Sequence, residues 1–476
     1  MKSYELIPFY VLVSFIASCG PEKSTQETEG ETQSTLSTSS SATTASTAQT
    51  EPTGGSTTAS CERREAGSGL SPNFRWSIGC GPIVFGPPSV AIATDGALFA
   101  AYVVRTSDVK DGVLNLGGDD LALTGGEDII MVKFQDDGIH AWSQIWGNSE
   151  GQAIAALAPM PDGGVAALFY TGGEVTIGGK QVSAVGPEDS VIVALDSSGS
   201  HRWDRVLTPD APPGTSGFTM LSTASNGALV AIATLNGSVK IGLDGPFVGQ
   251  DRLLVVFESD GSLRRADVRT YASVVAMSLD GSIVVGTAGG SSAGDLERID
   301  GDGNATWKID GWATEESSIA VSQAEFAMNG DIVVAGHFFG TVNLGGDDLI
   351  NPDGPFSGVA DVFIARFDPD GMHKWSLRLD APDESASMMV SVASLSLDAS
   401  DQAFLIYGDL QTRVDVFGTD GSLIASTELL APAPGGGGLL SDGTAIIVGW
   451  SFEPVDFGGG ALPLHGDSDL WGVRIN

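Results

Sequence analysis

The last eight residues of the chain resemble the beginning of a two-strand unit that is complete elsewhere in the sequence. Residues 361–368 (DVFIARFD) continue through a Pro-Asp-Gly turn into a strand that carries a tryptophan, residues 372–377 (MHKWSL). Residues 469–476 (DLWGVRIN) lack that second strand, whereas residues 73–79 (NFRWSIG) form one with no partner before it. An array whose final unit is completed by its first strand is a ring. The sequence therefore predicts a circularly closed β-propeller in which the Trp76 strand completes the last blade.

The repeating unit has four strands joined by turns rich in glycine and aspartate. An apolar strand ends at an Asp-Gly or Asn-Gly turn, and a second strand leads through a Gly-rich connection to a third strand introduced by Asp. A further turn precedes a fourth strand that carries tryptophan. The first turns are Asp95-Gly96, Asp162-Gly163, Asn226-Gly227, Asp280-Gly281, Asn329-Gly330 and Asp442-Gly443, with a degenerate copy near 398–402. We therefore predict an all-β fold, a single propeller of seven four-stranded blades over residues 61–476.

Histidine and tryptophan recur at fixed positions of the fourth strand. His140, His201 and His373 share one position, and because a catalytic base is needed only once, we expect a structural role for all three. Trp146 and Trp312 fall near predicted crossovers, where the alternatives are stacking on sugars and packing in the core. The tryptophans expected to pack between blades are Trp76, Trp142, Trp203, Trp307 and Trp375. The sequence contains no metalloprotease, nucleophile-elbow, phosphate-loop or dinucleotide-binding motif.

The charge balance of the chain is strongly acidic. Its 476 residues include 60 Asp and Glu against 23 Lys and Arg, for a formal net charge of −37. A protein that binds a nucleic-acid backbone needs a basic surface, so this balance argues against that class of ligand. It suits a soluble, self-repelling surface that attracts cations or basic partners.

The first residues have the pattern of an export signal. Lys2 provides a positive start, and the apolar run over residues 6–17 is too short to span a bilayer. The residues that follow, Ile16-Ala17-Ser18-Cys19, resemble the lipobox of bacterial lipoproteins, in which the cysteine is acylated. We predict a lipoprotein signal peptide at residues 1–18 and lipidation of Cys19, with an ordinary cleaved signal as the alternative.

The segment after the predicted signal, residues 19–60, is rich in Ser and Thr and contains almost nothing apolar. Such a segment cannot bury enough surface to offset the entropy lost on ordering, so we predict a disordered linker. As a flexible coil of about 40 residues, it would place its ends roughly 35 Å apart on average. That distance is enough to hold a domain clear of lipid headgroups.

Two further cysteines, Cys61 and Cys80, flank the Trp76 strand. An even pair of cysteines in an exported chain predicts a disulfide. It would close a loop of about 20 residues and contribute roughly 3 kcal/mol to stability in the chain-entropy model. The alternative is two free thiols.

The repeat resembles that of the β-propeller repeat proteins of bacterial envelopes, the SBBP-like repeats of the myxobacterial type. Residues 340–346 (GTVNLGG) and 361–376 carry the resemblance most clearly. It implies a propeller fold and, because many such proteins look like lipoproteins, attachment to the cell envelope. Gly20 after Cys19 is similar to the residue found in lipoproteins sent to the outer membrane, so the outer membrane is expected rather than the inner one. The resemblance implies little about activity.

Two pairs of aspartates follow Gly-Gly in the connection between second and third strands. They are Asp119 with Asp120 and Asp347 with Asp348. In a four-stranded blade this connection emerges on the ring face where the chain crosses between blades, so long connections should crowd one rim. We predict these four residues as a partner-binding rim, with a solvated acidic loop as the alternative.

Acidic turns raise the question of a calcium ion. Segments 300–304 (DGDGN) and 368–371 (DPDG) resemble the start of a calcium loop but lack the downstream Glu that would complete one. Turns between strands favour Asp and Gly on backbone grounds alone. No cofactor and no metal site are predicted, and calcium stays the alternative.

These features together predict a monomeric, non-catalytic propeller, tethered to the membrane only through its lipid anchor, that binds a protein or a glycan of the envelope. The alternative is a propeller enzyme, a lyase or hydrolase whose carboxylates converge at the central channel. A quinoprotein dehydrogenase also has Trp-bearing blades, but the blades here lack the sequence register of that family.

Overall fold

A computed structural model describes most of the chain after residue 60. The described residues are 61–65, 74–82, 87–184, 186, 189–210, 216–269, 272–287, 294–314, 316–354, 359–380, 391–408, 411–429, 431 and 434–476. The predicted signal peptide, Cys19 and the linker lie outside this range. In the described part of the chain, no helix is long and apolar enough to cross a membrane.

The described strands form seven antiparallel units, here called blades one to seven, each with four strands. The first strands, in blade order, are Ser89–Ile92, Gln152–Pro159, Gly217–Thr223, Ala272–Met277, Ser318–Phe326, Ser391–Leu397 and Pro434–Leu439. The second strands are Leu98–Arg105, Val165–Thr171, Leu229–Ile241, Ile283–Thr287, Ile332–Phe339, Ala403–Gly408 and Ala445–Ser451. Each second strand pairs with the first and third strands of its own blade.

Third and fourth strands complete the blades. The third strands are Glu127–Phe134, Asp189–Leu195, Asp244–Phe257, Leu296–Ile299, Asp361–Phe367, Thr412–Phe417 and Asp469–Ile475. The fourth strands are His140–Trp146, His201–Pro209, Leu263–Arg269, Ala305–Ile309, His373–Leu379, Leu423–Leu429 and Phe74–Cys80. Several third strands are buried along their whole length, as expected for strands covered on both faces by neighbouring blades.

Short elements decorate the connections between second and third strands. Two 3-10 turns, Thr106–Asp108 and Lys110–Gly112, precede the small hairpin of blade one. The hairpin strands are Val113–Leu114 with Leu121–Ala122, Glu174–Ile177 with Lys180–Ser183, and Thr341–Val342 with Leu349–Ile350. In blade three the second and third strands simply extend, and residues 239–241 pair with residues 207–209 of blade two. These connections therefore form short hairpins or, in blade three, pair with the preceding blade.

The blades close into a ring with their first strands innermost. Each first strand contacts the first strand of the next blade, and that of blade seven contacts that of blade one. The closure joins the two ends of the domain, because Phe74–Cys80 pairs antiparallel with Asp469–Ile475 and places Trp76 opposite Arg474. The predicted all-β propeller, with its last blade completed by the Trp76 strand, is confirmed.

A disulfide reinforces the blade that closes the ring. Cys61 and Cys80 are bonded, with their Cα atoms 4.1 Å apart. Cys61 begins a fifth strand, Cys61–Glu65, that pairs with the outer side of Phe74–Cys80. The strand that completes blade seven is therefore held by a neighbour on each side and by a covalent bond.

Candidate functional site

Five of the seven blades carry a fourth-strand tryptophan that connects the blade to the next one. Each indole Nε1–H donates a hydrogen bond to a carbonyl in the turn between the third and fourth strands of the following blade. The pairs are Trp76 with Asp136 (3.0 Å), Trp142 with Ser197 (3.1 Å), Trp203 with Ser259 (3.0 Å), Trp307 with Pro369 (2.9 Å) and Trp375 with Thr419 (2.9 Å). The turn glycine lies under the ring: a Cβ added to Gly261 would be 2.4 Å from Trp203. These side chains hold the ring together.

Two blades lack this tryptophan, and each exception has a structural reason. In blade three the register position is taken by Arg265, whose guanidinium donates to the carbonyls of Asp300 and Gly301 in the next blade's turn, both at 3.4 Å. In blade six the position is taken by Ala425. The following blade has no such turn, because its fourth strand comes from the other end of the domain.

The recurring histidines hold the loop that follows the second strand. Their Nε2 atoms lie 3.1 Å from Ser143 Oγ for His140 and 3.0 Å from Ser376 Oγ for His373. The His140 ring fills the space at Gly118, where a Cβ would meet Cε1 at 2.4 Å. Burial lowers the pKa of His140, and the Asp119 carboxylate opposes that shift. A neutral ring packed against a glycine supports the predicted structural role.

The predicted acidic rim consists of two copies of one loop. The hexapeptide NLGGDD occurs at residues 115–120 and again at 343–348. In the first copy Asn115 Oδ1 accepts the Gly117 N–H at 2.8 Å, and its Nδ2 donates to Asp120 Oδ1 at 2.8 Å. The second copy repeats both bonds, with a 2.7 Å contact from Asn343 Nδ2 to Asp348 Oδ1. Asp120 and Asp348 therefore stabilise their own loops, and all four aspartates are exposed.

The two loops lie in separate blades, and the partner-binding rim predicted for their aspartates stays a prediction. Leu116 and Leu344, inside the two loops, are each 1% exposed and pack in the apolar clusters shared with the preceding blade. Burying these leucines folds the loops back along the outermost strand, where Asp119 lies near His140. Since the copies belong to blades one and five, the structure does not bring the four aspartates together. They form two separate acidic sites.

The aspartates at the start of third strands were seen in the sequence, but their role was not. Asp128 Oδ2 accepts the Thr124 N–H at 2.7 Å, and Asp469 Oδ2 accepts the His465 N–H at 2.8 Å. The His465 ring also bonds Asp469 through Nδ1 at 2.6 Å. Each carboxylate thus caps the loop that leads into its strand. The recurrence of Asp at the start of these strands was the available signal.

Acidic turns on the other side of the blades bind their own backbone. Asp300 Oδ1 accepts the N–H groups of Asp302 (3.0 Å) and Asn304 (2.8 Å). Asp368 Oδ1 does the same in its turn, with Met372 N–H at 2.8 Å. Hydrogen bonds from Asn304 lower the pKa of Asp300. The described residues contain no cluster of three or more His, Cys, Asp or Glu side chains that would hold a metal ion.

The innermost strands carry one out-of-pattern residue, Glu325 in blade five. It pairs with Val333, the second residue of its neighbouring strand. The corresponding position in the other blades holds a small residue: Ala91, Ala158, Ser222, Ala276, Ser396 or Gly438. Burial raises the pKa of Glu325 to about 7. No second ionisable residue occurs in the seven first strands that the structure describes.

Two tryptophans considered for sugar stacking are in the core. Trp146 is fully buried, with its ring 5.5 Å from that of Phe169. Trp312 is 3% exposed and stacks on Phe367 with 5.7 Å between ring centroids. Of the two alternatives, core packing is therefore the correct one for both residues.

An open polar groove lies between the outer strands of blades one and two, with a volume of about 310 Å³. Its side-chain lining comes from Gln144 and Ile145 of blade one and from Thr176, Ser198 and Ser200 of blade two. Gln144 joins the two blades: its Oε1 accepts the Gly178 N–H at 3.0 Å and its Nε2 donates to the Gly199 carbonyl at 2.6 Å. No ionisable residue lines this groove in the described part of the chain.

The chain matches no protein-family model and none of the curated proteins. Among solved structures it is similar to the Dos1 propeller, with a TM-score of 0.42, 10% identity and coverage of 82% of this chain and 92% of that one. The β-propeller domain of the Trilobed protease from Pyrococcus furiosus, described as having an open velcro topology, gives a TM-score of 0.42, 9% identity and coverage of 76% and 89%. Quinohemoprotein alcohol dehydrogenase ADHIIG from Pseudomonas putida HK5 gives a TM-score of 0.40 and 11% identity, with coverage of 88% of this chain and 76% of that one. By its strand pairing and closure, the chain is a β-propeller.

Proposed function

We propose that the protein is a membrane-tethered, non-catalytic propeller lipoprotein that binds a protein or a glycan at the bacterial cell envelope. It would belong to the SBBP-like repeat lipoproteins that its repeat resembles. The observation that carries the proposal is the innermost layer of the ring, where Glu325 has no ionisable neighbour on the described first strands. The enzyme alternative calls for several converging carboxylates, whereas a rigid ring with ordered surface loops is suited to recognition.

The tether is proposed from the sequence around Cys19 and the linker that follows it. An acylated cysteine would anchor the ring at the outer membrane, and a net charge of −37 would keep a monomer soluble and favour basic partners. Metabolic labelling with a palmitate analogue tests this, with fractionation of the membranes. Wild-type protein should be labelled and should sediment with the outer membrane. The Cys19→Ser variant should be unlabelled and should not sediment with the membrane. Unlabelled wild-type protein would contradict the tether.

Binding is tested with the full chain carrying Cys19→Ser, which removes the acyl group but keeps every other residue. The immobilised protein is exposed separately to solubilised envelope proteins and to envelope polysaccharides, with the same protein unfolded in urea as the control. We expect saturable retention from one of the two fractions by the folded protein only. Retention of neither fraction would contradict a binding function, and turnover of a polysaccharide would favour the lyase or hydrolase alternative.

A further inference from the structure

We propose that the groove between blades one and two is a binding site for a neutral carbohydrate. This inference rests on the proposed function and names its ligand class and its site. The groove is defined by two turns, Gly178-Gly179 of the small hairpin and Ser198-Gly199-Ser200 between the third and fourth strands of blade two. Its volume of about 310 Å³ is at the lower end of the range of small-molecule sites.

Blade two differs from blades one and five in the loop beside the groove. In blades one and five a histidine ring fills the space beside the second glycine of the loop: a Cβ on Gly118 or Gly346 would lie 2.4 Å from the histidine Cε1. Blade two has a two-residue turn here, Gly178-Gly179 between Ile177 and Lys180, and a Cβ on Gly179 would have no atom within 4 Å. His201 keeps the contact three residues on that His140 and His373 make, with 2.8 Å between its Nε2 and Asp204 Oδ1. The shorter turn therefore leaves the surface beside Gly179 open.

The residue that spans the two blades is also unusual. Two positions after the fourth-strand tryptophan, blades seven, four and five carry Ile78, Ile309 and Leu377. Ile78 and Ile309 pack in the same apolar clusters as the loop leucines Leu116 and Leu344. Blade one carries Gln144, whose amide fixes both turns of the groove by the two hydrogen bonds given above. A polar amide here holds the turns in place without filling the space between them.

The chemistry of the lining indicates the ligand. Hydroxyl groups of Thr176, Ser198 and Ser200 face a groove with no ionisable lining residue, in a protein whose net charge is −37. Ser198 Oγ donates to Asp196 Oδ1 at 2.6 Å and lies 3.1 Å from Ser200 Oγ, so one of its lone pairs stays available as an acceptor. Uncharged donors and acceptors beside an apolar side chain, Ile145, suit a polyhydroxylated neutral molecule. Charged ligands would lose hydration without gaining an ion pair.

An aromatic surface borders the groove. The Trp142 ring lies against Gly199, where an added Cβ would be 3.1 Å from Cδ2, and its indole nitrogen is fixed by the Ser197 carbonyl. Trp142 remains partly exposed. A sugar in the groove would therefore lie close to an immobilised indole, which provides both apolar contact and a fluorescence signal for binding.

The test uses the full chain with Cys19→Ser and a panel of neutral di- and trisaccharides (maltose, cellobiose and chitobiose series), with digalacturonic acid as the charged comparison. Binding is measured by saturation-transfer NMR and by tryptophan fluorescence. Ser198→Trp fills the groove from an exposed turn position, and Asp370→Trp places the same side chain at the equivalent exposed position of blade five. Ser200→Met is a second variant, which copies the residue, Met372, that blade five carries there.

We expect at least one neutral saccharide to bind, with affinity reduced tenfold or more by Ser198→Trp and by Ser200→Met and unchanged by Asp370→Trp. Equal binding by all variants would show that the sugar binds elsewhere. The groove would then not be the binding site, and a glycan-binding function would still stand. If no neutral saccharide binds while the envelope fractions are retained, the carbohydrate inference fails and the proposed function survives. If neither is bound, both fail.

Discussion

The buried carboxyl of Glu325 makes a quantitative prediction about stability and pH. Its pKa is raised from 4.5 to about 7 by burial among the inner strands. Between these two values the folded state keeps a proton that the unfolded chain has released, so stability falls as pH rises from about 4.5 to 7. A shift of this size corresponds to about 3 kcal/mol as an upper bound, since each pKa unit is about 1.4 kcal/mol. Partial exposure reduces it to roughly 1–3 kcal/mol.

The Glu325→Gln variant removes the charge and keeps the size and shape of the side chain. Urea unfolding at pH 4, 6 and 8 should show a variant that becomes more stable than wild type by roughly 1–3 kcal/mol as pH rises to 8. At pH 4 the two proteins should differ little, because Glu325 is protonated in both states. Glu428→Gln, an exposed outer-strand carboxyl, is the control and should show no such trend. A difference between Glu325→Gln and wild type that is the same at all three pH values would refute the reasoning.

Two further predictions concern the contacts between and within blades. Trp203→Ala should destabilise the ring by about 3–5 kcal/mol in urea unfolding, because it removes a buried ring and its bond to Ser259, and a loss below about 1 kcal/mol would contradict a structural role. Gly118→Ala should cost about 1–3 kcal/mol, because the new methyl group meets the His140 ring. The same change made in His140→Ala should cost much less, and equal costs in both backgrounds would show that the histidine does not occupy that space.

The closed ring was predictable because it depends on local patterns with fixed spacing. The Trp76 strand lacks a partner and the segment at residues 469–476 lacks a following strand, so each predicts pairing with the other. Asp-Gly and Asn-Gly turns predict the blades between them. The structural role of His140 and its counterparts followed from their recurrence in the repeat. These inferences need only the period of the repeat, which the sequence contains in full.

The destinations of the long connections were not predictable from the same patterns. Whether the NLGGDD loop extends as a rim or folds back depends on where Leu116 finds an apolar surface, and that surface belongs to the preceding blade. In blade three a Gly-rich stretch, interpreted as a connection, continues as strand to Ile241 because residues 207–209 of blade two offer an edge to pair with. Such contacts between distant segments leave no local signal.

The groove between blades one and two was not predictable from the sequence either. Gly179 lies in a two-residue turn and Gly118 in a six-residue loop, and only the structure shows that the His140 ring covers Gly118 while the surface beside Gly179 is open. Glu325 is visible in the sequence as a charged residue in an apolar strand, but its inner position in the ring becomes clear only from strand pairing. Out-of-pattern residues are identified once the blades are superposed on one another.

The central claim is that the two ends of the domain share one blade, and a distance measurement tests it most directly. In the Cys19→Ser background, spin labels at Arg75→Cys and Asp442→Cys replace two exposed residues whose side chains lie 3.5 Å apart. Pulsed electron resonance should give a single narrow distribution at the short end of the measurable range. An open arrangement of the blades would separate these positions by a large part of the domain's diameter, about 50 Å for roughly 400 residues, and a distribution of that kind would contradict the closed ring.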